Sequence, residues 1–298
     1  MTSAAHELVE ELRHIHSTLS SLPSLAPGEQ VNSLLTRLVN LCITPRGEDF
    51  ASYVLSIRGV EALCLQLRPL CATAEGQLEL YWAQRIIISS SHTQKLLSSF
   101  PYHQNYIDLS RLECCTLEAF LPVCSPDCRP SPCKIAFIGS GPLPLTSFCV
   151  LDRYPEAIVH NVDRDLQALR TSRSLAHRLG YGPRMSFSCE DVSVDASISI
   201  DPIAGIATST AWKGFQVVFL AALVGMDTQT KMGILASLAK KLEPGTLVVA
   251  RSAQGLRSVL YPILELSQEL ANVGYDILAE VHPWTKVVNS VIVLQVKG

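Results

Sequence analysis

The sequence predicts a mixed α/β protein, with a mostly parallel sheet closed by an antiparallel C-terminal hairpin and a helical domain in front of it. Three observations predict this. An apolar run at 135–138 ends in Gly139-Ser140-Gly141 and is followed by a helix-like stretch at 145–151. Beyond it, patterns of strand length and helix length alternate, as parallel strands joined by crossover helices require. The last two strands, 275–281 and 287–296, are separated only by His282-Pro283-Trp284-Thr285-Lys286, too short for a crossover helix, so one strand runs against the rest.

In the front third, apolar residues recur at helical spacing over 7–19 and 29–42, where Val31, Leu34, Leu35, Leu38, Leu41 and Cys42 form one stripe. Pro27-Gly28 and Pro45-Arg46-Gly47 break the pattern. Further helices are expected over 53–70, ending near Pro69, and over 73–97. On the latter, Glu79 shares a face with Trp82 and Ile86. A carboxylate held along an apolar stripe has a raised pKa and can accept a proton from an amine near neutral pH. Helix geometry alone favours the plainer reading, a head group in solvent or paired with Arg85. Tyr102, His103, Asn105 and Tyr106 form a polar and aromatic cluster expected just before a short amphipathic helix; they can hold a polar substrate or serve as core. Pro126, Pro130 and Pro132 mark a linker. The expected division is a helical domain 1–121, a linker 122–133 and a Rossmann-like domain 134–298.

In that last domain Gly139, Ser140, Gly141 and Pro142 form a turn where a ligand can approach the main chain, ahead of a helix start with unpaired N–H groups. A second strand closes at Asp163, a helix covers 165–179, and a third strand at 185–189 leads into Glu190-Asp191-Val192. The fourth strand, 216–220, ends at Leu220-Ala221. A helix at 230–240 precedes a fifth strand, 246–250, finishing at Arg251-Ser252, and a helix is expected over 259–273. Ligands bind at the carboxyl ends of such strands. The pattern resembles the S-adenosylmethionine (SAM) methyltransferase variant of the Rossmann fold. The glycine loop would hold the methionine portion, Asp163 the ribose and Asp191 the adenine edge, with Val192, Leu220, Ala221 and Arg251 completing the donor site.

The bulk properties fit a small-molecule protein. At 298 residues the chain can bury a large core, and a formal charge of −3 without a Lys/Arg block lacks the footprint for nucleic acid. The N-terminus does not read as a signal peptide, and the richest apolar run, 215–226, is too short to span a membrane, so a soluble cytoplasmic protein is expected. The ten cysteines are scattered; Cys114, Cys115, Cys124, Cys128 and Cys133 are the one cluster, without paired Cys-x-x-Cys knuckles. A cysteine-based metal binder is therefore an alternative of a different class. A dinucleotide oxidoreductase is disfavoured because Pro144 stands where a third glycine would.

Across its whole length the chain resembles the nicotianamine synthase family. The shared words are Leu22-Pro23-Ser24-Leu25, Glu75-Gly76-Gln77-Leu78-Glu79, Phe100-Pro101-Tyr102 with Asn105-Tyr106, and Phe137-Ile138-Gly139-Ser140-Gly141-Pro142-Leu143-Pro144. They continue through Asn161-Val162-Asp163, Val218-Phe219-Leu220-Ala221-Ala222-Leu223-Val224-Gly225-Met226, Arg251-Ser252-Ala253-Gln254-Gly255-Leu256-Arg257 and Val287-Val288-Asn289-Ser290. The resemblance implies a transferase that moves the aminobutyrate (3-amino-3-carboxypropyl) arm of SAM to an α-amine, releases 5′-methylthioadenosine and makes the metal chelator nicotianamine or a shorter relative. It implies two catalytic residues, Glu79 as base and Tyr106 lining the reaction chamber to position and orient the substrate, with proton relay as its second possible role; it also implies a site between the two domains and no enzyme-bound metal. Tyr81 stands where plant-type sequences tend to carry His, and His103 where an aromatic is more usual. Either change could reshape the chamber, leaving open the number of units added and whether the first acceptor is a second SAM or glutamate. A small-molecule methyltransferase on the same fold is the alternative.

Overall fold

A computed structural model describes residues 2–122, 131–194 and 205–298. Six helices come first: α1 (Thr2–Ser21), α2 (Glu29–Ile43), α3 (Glu48–Ser56), α4 (Val60–Ile88), α5 (Thr93–Ser98) and α6 (His103–Glu118). The remainder is β1 (Lys134–Ile138), α7 (Leu145–Arg153), β2 (Ile158–Asp163), α8 (Leu166–Leu179), β3 (Met185–Cys189), β4 (Val217–Leu220), α9 (Thr228–Lys241), β5 (Leu247–Ser252), α10 (Gln268–Asn272), β6 (Tyr275–Val281) and β7 (Ser290–Val296). Among the described residues no single helix is long and apolar enough to cross a membrane.

The seven strands are ordered β3-β2-β1-β4-β5-β7-β6. The first five are parallel, and β7 is antiparallel to both β5 and β6. The expected hairpin is therefore present, and the sheet has the order and closing reversal of the SAM-methyltransferase-type Rossmann fold. The chain steps from β1 outward to β3 and then returns to β4 on the other side. This opens a crevice at the carboxyl ends of β1 and β4, where open α/β sheets bind ligands.

Alternation along the strands divides the packing. Ile135, Phe137, Phe219, Val249 and Val293 face one core, shared with Leu78, Ala83 and Ile86 of α4 and with Leu109 and Leu117 of α6. Ala136, Ile138, Val218, Val248 and Ile292 face the other, covered by α9 and α10. A third core joins α1, α2, α3 and the first half of α4 to Leu256, Val259, Leu260 and Val288. Each fully buried leucine in these cores stabilises the fold by roughly 1.5–3 kcal/mol. Helix α4 thus lies in two cores, and Glu75 and Glu79 occupy the junction between them.

Three expectations are corrected. Pro69 lies inside α4 and does not end a helix. It is exposed, as is Leu65, the residue whose carbonyl loses its partner, so the gap in the hydrogen-bond ladder falls on the exposed face of the helix. The actual breaks fall at Gly59, in the left-handed region at φ 88°, and between Ile88 and Thr93. The tyrosine cluster does not precede a helix: His103, Asn105 and Tyr106 lie in the first turn of α6. The helix expected over 259–273 is reduced to a 3₁₀ turn at Gly255–Val259 and the short α10. Pro262 interrupts it, and the Leu264 N–H is taken by Ser252 Oγ at 2.9 Å. Most of the expected linker, including Cys124 and Cys128, lies outside the described residues.

Candidate active site

A cavity of about 520 Å³ opens at the carboxyl ends of β1 and β4. Its sheet wall starts at the glycine loop. Gly139 has φ 79° and Gly141 φ 63°, conformations that favour glycine. The Gly139 N–H donates to the Val162 carbonyl at 2.8 Å, and the Gly141 N–H to Asp163 Oδ2 at 2.8 Å. Asp163 Oδ1 accepts from the Asp165 N–H at 2.9 Å. Each carboxylate oxygen keeps a further lone pair, so Asp163 both shapes the loop and can accept from a ligand hydroxyl. Burial raises its pKa against these two backbone hydrogen bonds. Asp191 accepts from the Ser193 N–H at 2.9 Å and from its hydroxyl, bonds that hold its pKa low.

The helical wall carries Glu79 and Tyr106, the two residues expected from sequence to be catalytic. Glu79 is buried, not in solvent, and Arg85 lies over the Trp82 ring instead of pairing with it. The Tyr106 hydroxyl donates to Glu79 Oε1 at 2.8 Å. Burial, then the neighbouring Glu75 carboxylate, raise the Glu79 pKa well above the ordinary range, with Tyr106 opposing. The walls meet here: a methyl group on Gly141 would lie 2.8 Å from Glu79 Oε2. The loop comes this close to the carboxylate because residue 141 has no side chain.

One buried ion pair joins the walls. Arg251, at the end of β5, donates to both carboxylate oxygens of Glu113 on α6, at 2.7 and 3.1 Å, and to Thr146 Oγ1 at 2.7 Å. Its guanidinium also lies over the Phe137 ring. Arg251 lines the cavity, but most of its hydrogen-bonding capacity is spent on α6 and α7.

Of the residues singled out from sequence, Glu79, Tyr106, Gly139, Ser140, Gly141, Pro142, Asp163, Asp191, Val192, Ala221 and Arg251 all line this cavity. Leu220 does not; its side chain is wholly buried in the core beneath α9. Tyr81 and His103, the two departures expected to reshape the chamber, are also absent from the lining, and Tyr81 points outward against Trp82. Among the described residues no group of His, Cys, Asp or Glu is arranged to hold a metal, and Cys115 and Cys133 are exposed thiols.

Sequence reasoning passed over three residues. Glu75 lies one turn before Glu79 on the same face, a spacing that could have revealed it. Lys231 occupies an apolar-stripe position with Ile234, Leu235 and Leu238, which is the signal of a buried lysine. It is fully buried and donates to the carbonyls of Ala222 at 2.9 Å and Arg251 at 3.2 Å, tying the loop after β4 to the end of β5. Burial pulls its pKa down to about 7. Tyr261, whose hydroxyl donates to Glu75 Oε2 at 3.3 Å, sits in the irregular segment after β5, where no local pattern marks it.

The chain is similar to known proteins over its whole length. A family model described as nicotianamine synthase protein matches residues 1–298. Nicotianamine synthase 2 of Oryza sativa subsp. japonica is 37% identical over 292 residues, covering 96% of this chain and 81% of the relative. The crystal structure of MtNAS in complex with MTA and tNA superposes with a TM-score of 0.76 at 20% identity, covering 97% of this chain and 98% of that one. A glutamate-to-glutamine mutant of MtNAS in complex with S-adenosylmethionine gives a TM-score of 0.74, with the same identity and coverage.

Proposed function

The chain belongs to the nicotianamine synthase family, and from that premise we propose how its cavity performs the reaction. The protein is a transferase that moves the 3-amino-3-carboxypropyl arm of SAM to an α-amine, releases 5′-methylthioadenosine and makes nicotianamine or a shorter analogue. The adenosine end of SAM is assigned to Asp163, Asp191 and Val192, and its methionine arm to the loop Gly139–Pro142. The acceptor amine is assigned to the helical wall beside Glu79 and Tyr106.

A sulfonium activates three carbons, and the one that reacts is set by which carbon lies in line with the nucleophile. The acceptor arrives as an ammonium without a lone pair. Glu79 takes one N–H proton; the amine then forms a C–N bond to the carbon that begins the arm, and the C–S electron pair leaves on sulfur as a neutral thioether. Such a leaving group calls for no Lewis acid, so the residues named suffice without an enzyme-bound metal. Tyr106 orients the Glu79 carboxylate through its hydrogen bond. The observation that carries this reading is the buried Glu79 carboxylate, raised in pKa and set against Gly141 of the donor loop.

The acidic character of the helical wall favours a cationic or zwitterionic acceptor, with a second SAM and glutamate as the two candidates. A SAM-only incubation separates them: the mass of the amino-acid product counts the units joined, and a product that forms only when glutamate is added identifies glutamate as the acceptor. The nucleoside product tests the reaction itself. Methylthioadenosine is expected, whereas S-adenosylhomocysteine would make the protein a methyltransferase.

A further inference from the structure

Glu75 faces the cavity one helical turn before Glu79 and shares a hydroxyl with it. Tyr106 Oη lies 2.8 Å from Glu79 Oε1 and 3.5 Å from Glu75 Oε1, so the phenol stands between the two carboxylates. The other Glu75 oxygen accepts from Tyr261 at 3.3 Å. All four side chains line the same cavity. We propose that Glu75 is the second carboxylate of the base, a positioning residue that receives, through the Tyr106 hydroxyl, the proton that Glu79 takes from the acceptor amine. This inference rests on the reading of Glu79 as that base.

The chemistry requires an outlet. Each transfer breaks one acceptor N–H bond, and the proton becomes the Glu79 O–H. A second transfer at the same site needs Glu79 ionised again. As Glu79 hands its proton to Tyr106 Oη, the phenol gives its own hydrogen to Glu75 Oε1; an O–H bond breaks at Glu79, one forms at Glu75, and the phenol oxygen gains one and loses one, so the phenol ends as it began. The 3.5 Å separation is long for a strong hydrogen bond. Such contacts commonly tighten when substrate fills a site.

The surroundings suit proton sharing. Facing Glu75 are Cys71 and Glu79 from its own helix, Tyr102 just before α6, Tyr106 from α6, Tyr261 beyond β5, and Arg251 from β5. Asp163 adds a further negative charge near Glu79. The single guanidinium among them is already held by Glu113. Two close carboxylates in such a place raise each other's proton affinity, so a proton taken up by one is held by the pair as a unit. Tyr261 and Tyr106 favour charge on Glu75, while Glu75 in turn raises Glu79.

A purely structural Glu75 would only hold the two tyrosines in place, and a glutamine can do that: its amide oxygen accepts from one hydroxyl and its NH2 donates to the oxygen of the other. Glu75→Gln is therefore expected to keep SAM binding and to lower kcat about 10-fold or more, within the range of acid–base contributions. The acid limb of its pH–kcat profile should move to lower pH, because Glu79 loses the neighbouring charge that raises it. In a Tyr106→Phe background the same substitution should cost little, because the path is already cut. A kcat within about twofold of wild type, or losses that multiply independently in the double variant, would overturn the proposal. Tyr261→Phe gives a second test that spares both carboxyls. Losing its hydroxyl raises the Glu75 pKa, so the acid limb should move to higher pH, and an unmoved limb counts against the proposal. Methylthioadenosine release by the wild-type protein is measured in parallel. If it occurs, the parent reading stands, and a negative result then falls on Glu75 alone.

Discussion

On the sheet wall of the cavity, main-chain groups held in register stand beside the Asp163 and Asp191 carboxylates, which are fixed by backbone hydrogen bonds. Gly139 and Gly141 present their backbone because β1 pairs with β2 and β4 and because Asp163 fastens the loop from the next strand. On the helical wall the polar groups are side chains: Glu75, Glu79, Tyr106 and Tyr261, brought together from two helices and an irregular segment. The first wall is built by pairing and turn geometry, which tolerate little change but carry no special reactivity. The second is built by packing, and packing is what removes water from Glu79 and raises its pKa. Donor binding and chemistry should therefore be separable by mutation.

The largest separation is expected from Glu79→Gln. Turnover, read as methylthioadenosine release, should fall about 10²–10⁴-fold, while calorimetry finds SAM still bound. The same substitution should raise the melting temperature at neutral pH. A carboxyl whose folded pKa is raised above 4.5 contributes stability that is present below the unfolded value and is lost as pH rises through the folded value. The gain should thus disappear in melts recorded near or below pH 4.5. A variant that turned over normally would return Glu79 to the role of a buried structural residue.

Next comes the pair that joins the walls. Arg251→Met strands Glu113 without a partner and should cost about 3–5 kcal/mol in denaturant unfolding. Adding Glu113→Leu should restore much of that loss, since a buried pair replaced by apolar groups is often near neutral.

Gly141→Ala attacks the line where the walls meet. The left-handed φ costs about 1–2 kcal/mol for a side-chain-bearing residue, and the new methyl must displace the Glu79 carboxylate. Both SAM affinity and turnover should drop. Gly180→Ala, also at positive φ but with open space around its Cβ, should show a stability cost without a change in KM. The smallest effect is expected from Asp227→Ala, which removes the cap of α9 (Asp227 Oδ1 accepts from the Thr230 N–H at 2.7 Å). Loss of such a cap costs about 1 kcal/mol. Because the Asp227 pKa is lowered by these bonds, the difference between variant and wild type should fade as pH falls through that lowered value.

The same contrast explains how much was legible beforehand. Strands alternate with a period of two and end in turns that need glycine, so β1, β2, β3, β4 and their loop residues are local signals, and Gly139, Gly141, Asp163 and Asp191 could be read directly. The hairpin followed from a connection too short to cross over. Helix boundaries were less legible. Pro69 looks like a stop in sequence and is not one, because it lies on the exposed face of α4; Pro262 is a real stop, in a segment whose apolar periodicity suggested a helix.

For Glu79 the local evidence pointed the wrong way, toward solvent, and only the family resemblance singled it out. Its burial depends on the glycine loop, on α6 and on the Arg251–Glu113 pair arriving from distant parts of the chain. The sequence by itself determined the sheet, the glycine loop and the acidic residues at the strand ends, because those follow from periodicity and backbone conformation within a few residues. The tertiary structure alone decided that a carboxylate on α4 loses its water, gains Tyr106 and Glu75 as partners and lies against Gly141. Desolvation and through-space charge depend on what packs around a group, and no spacing along one helix encodes that.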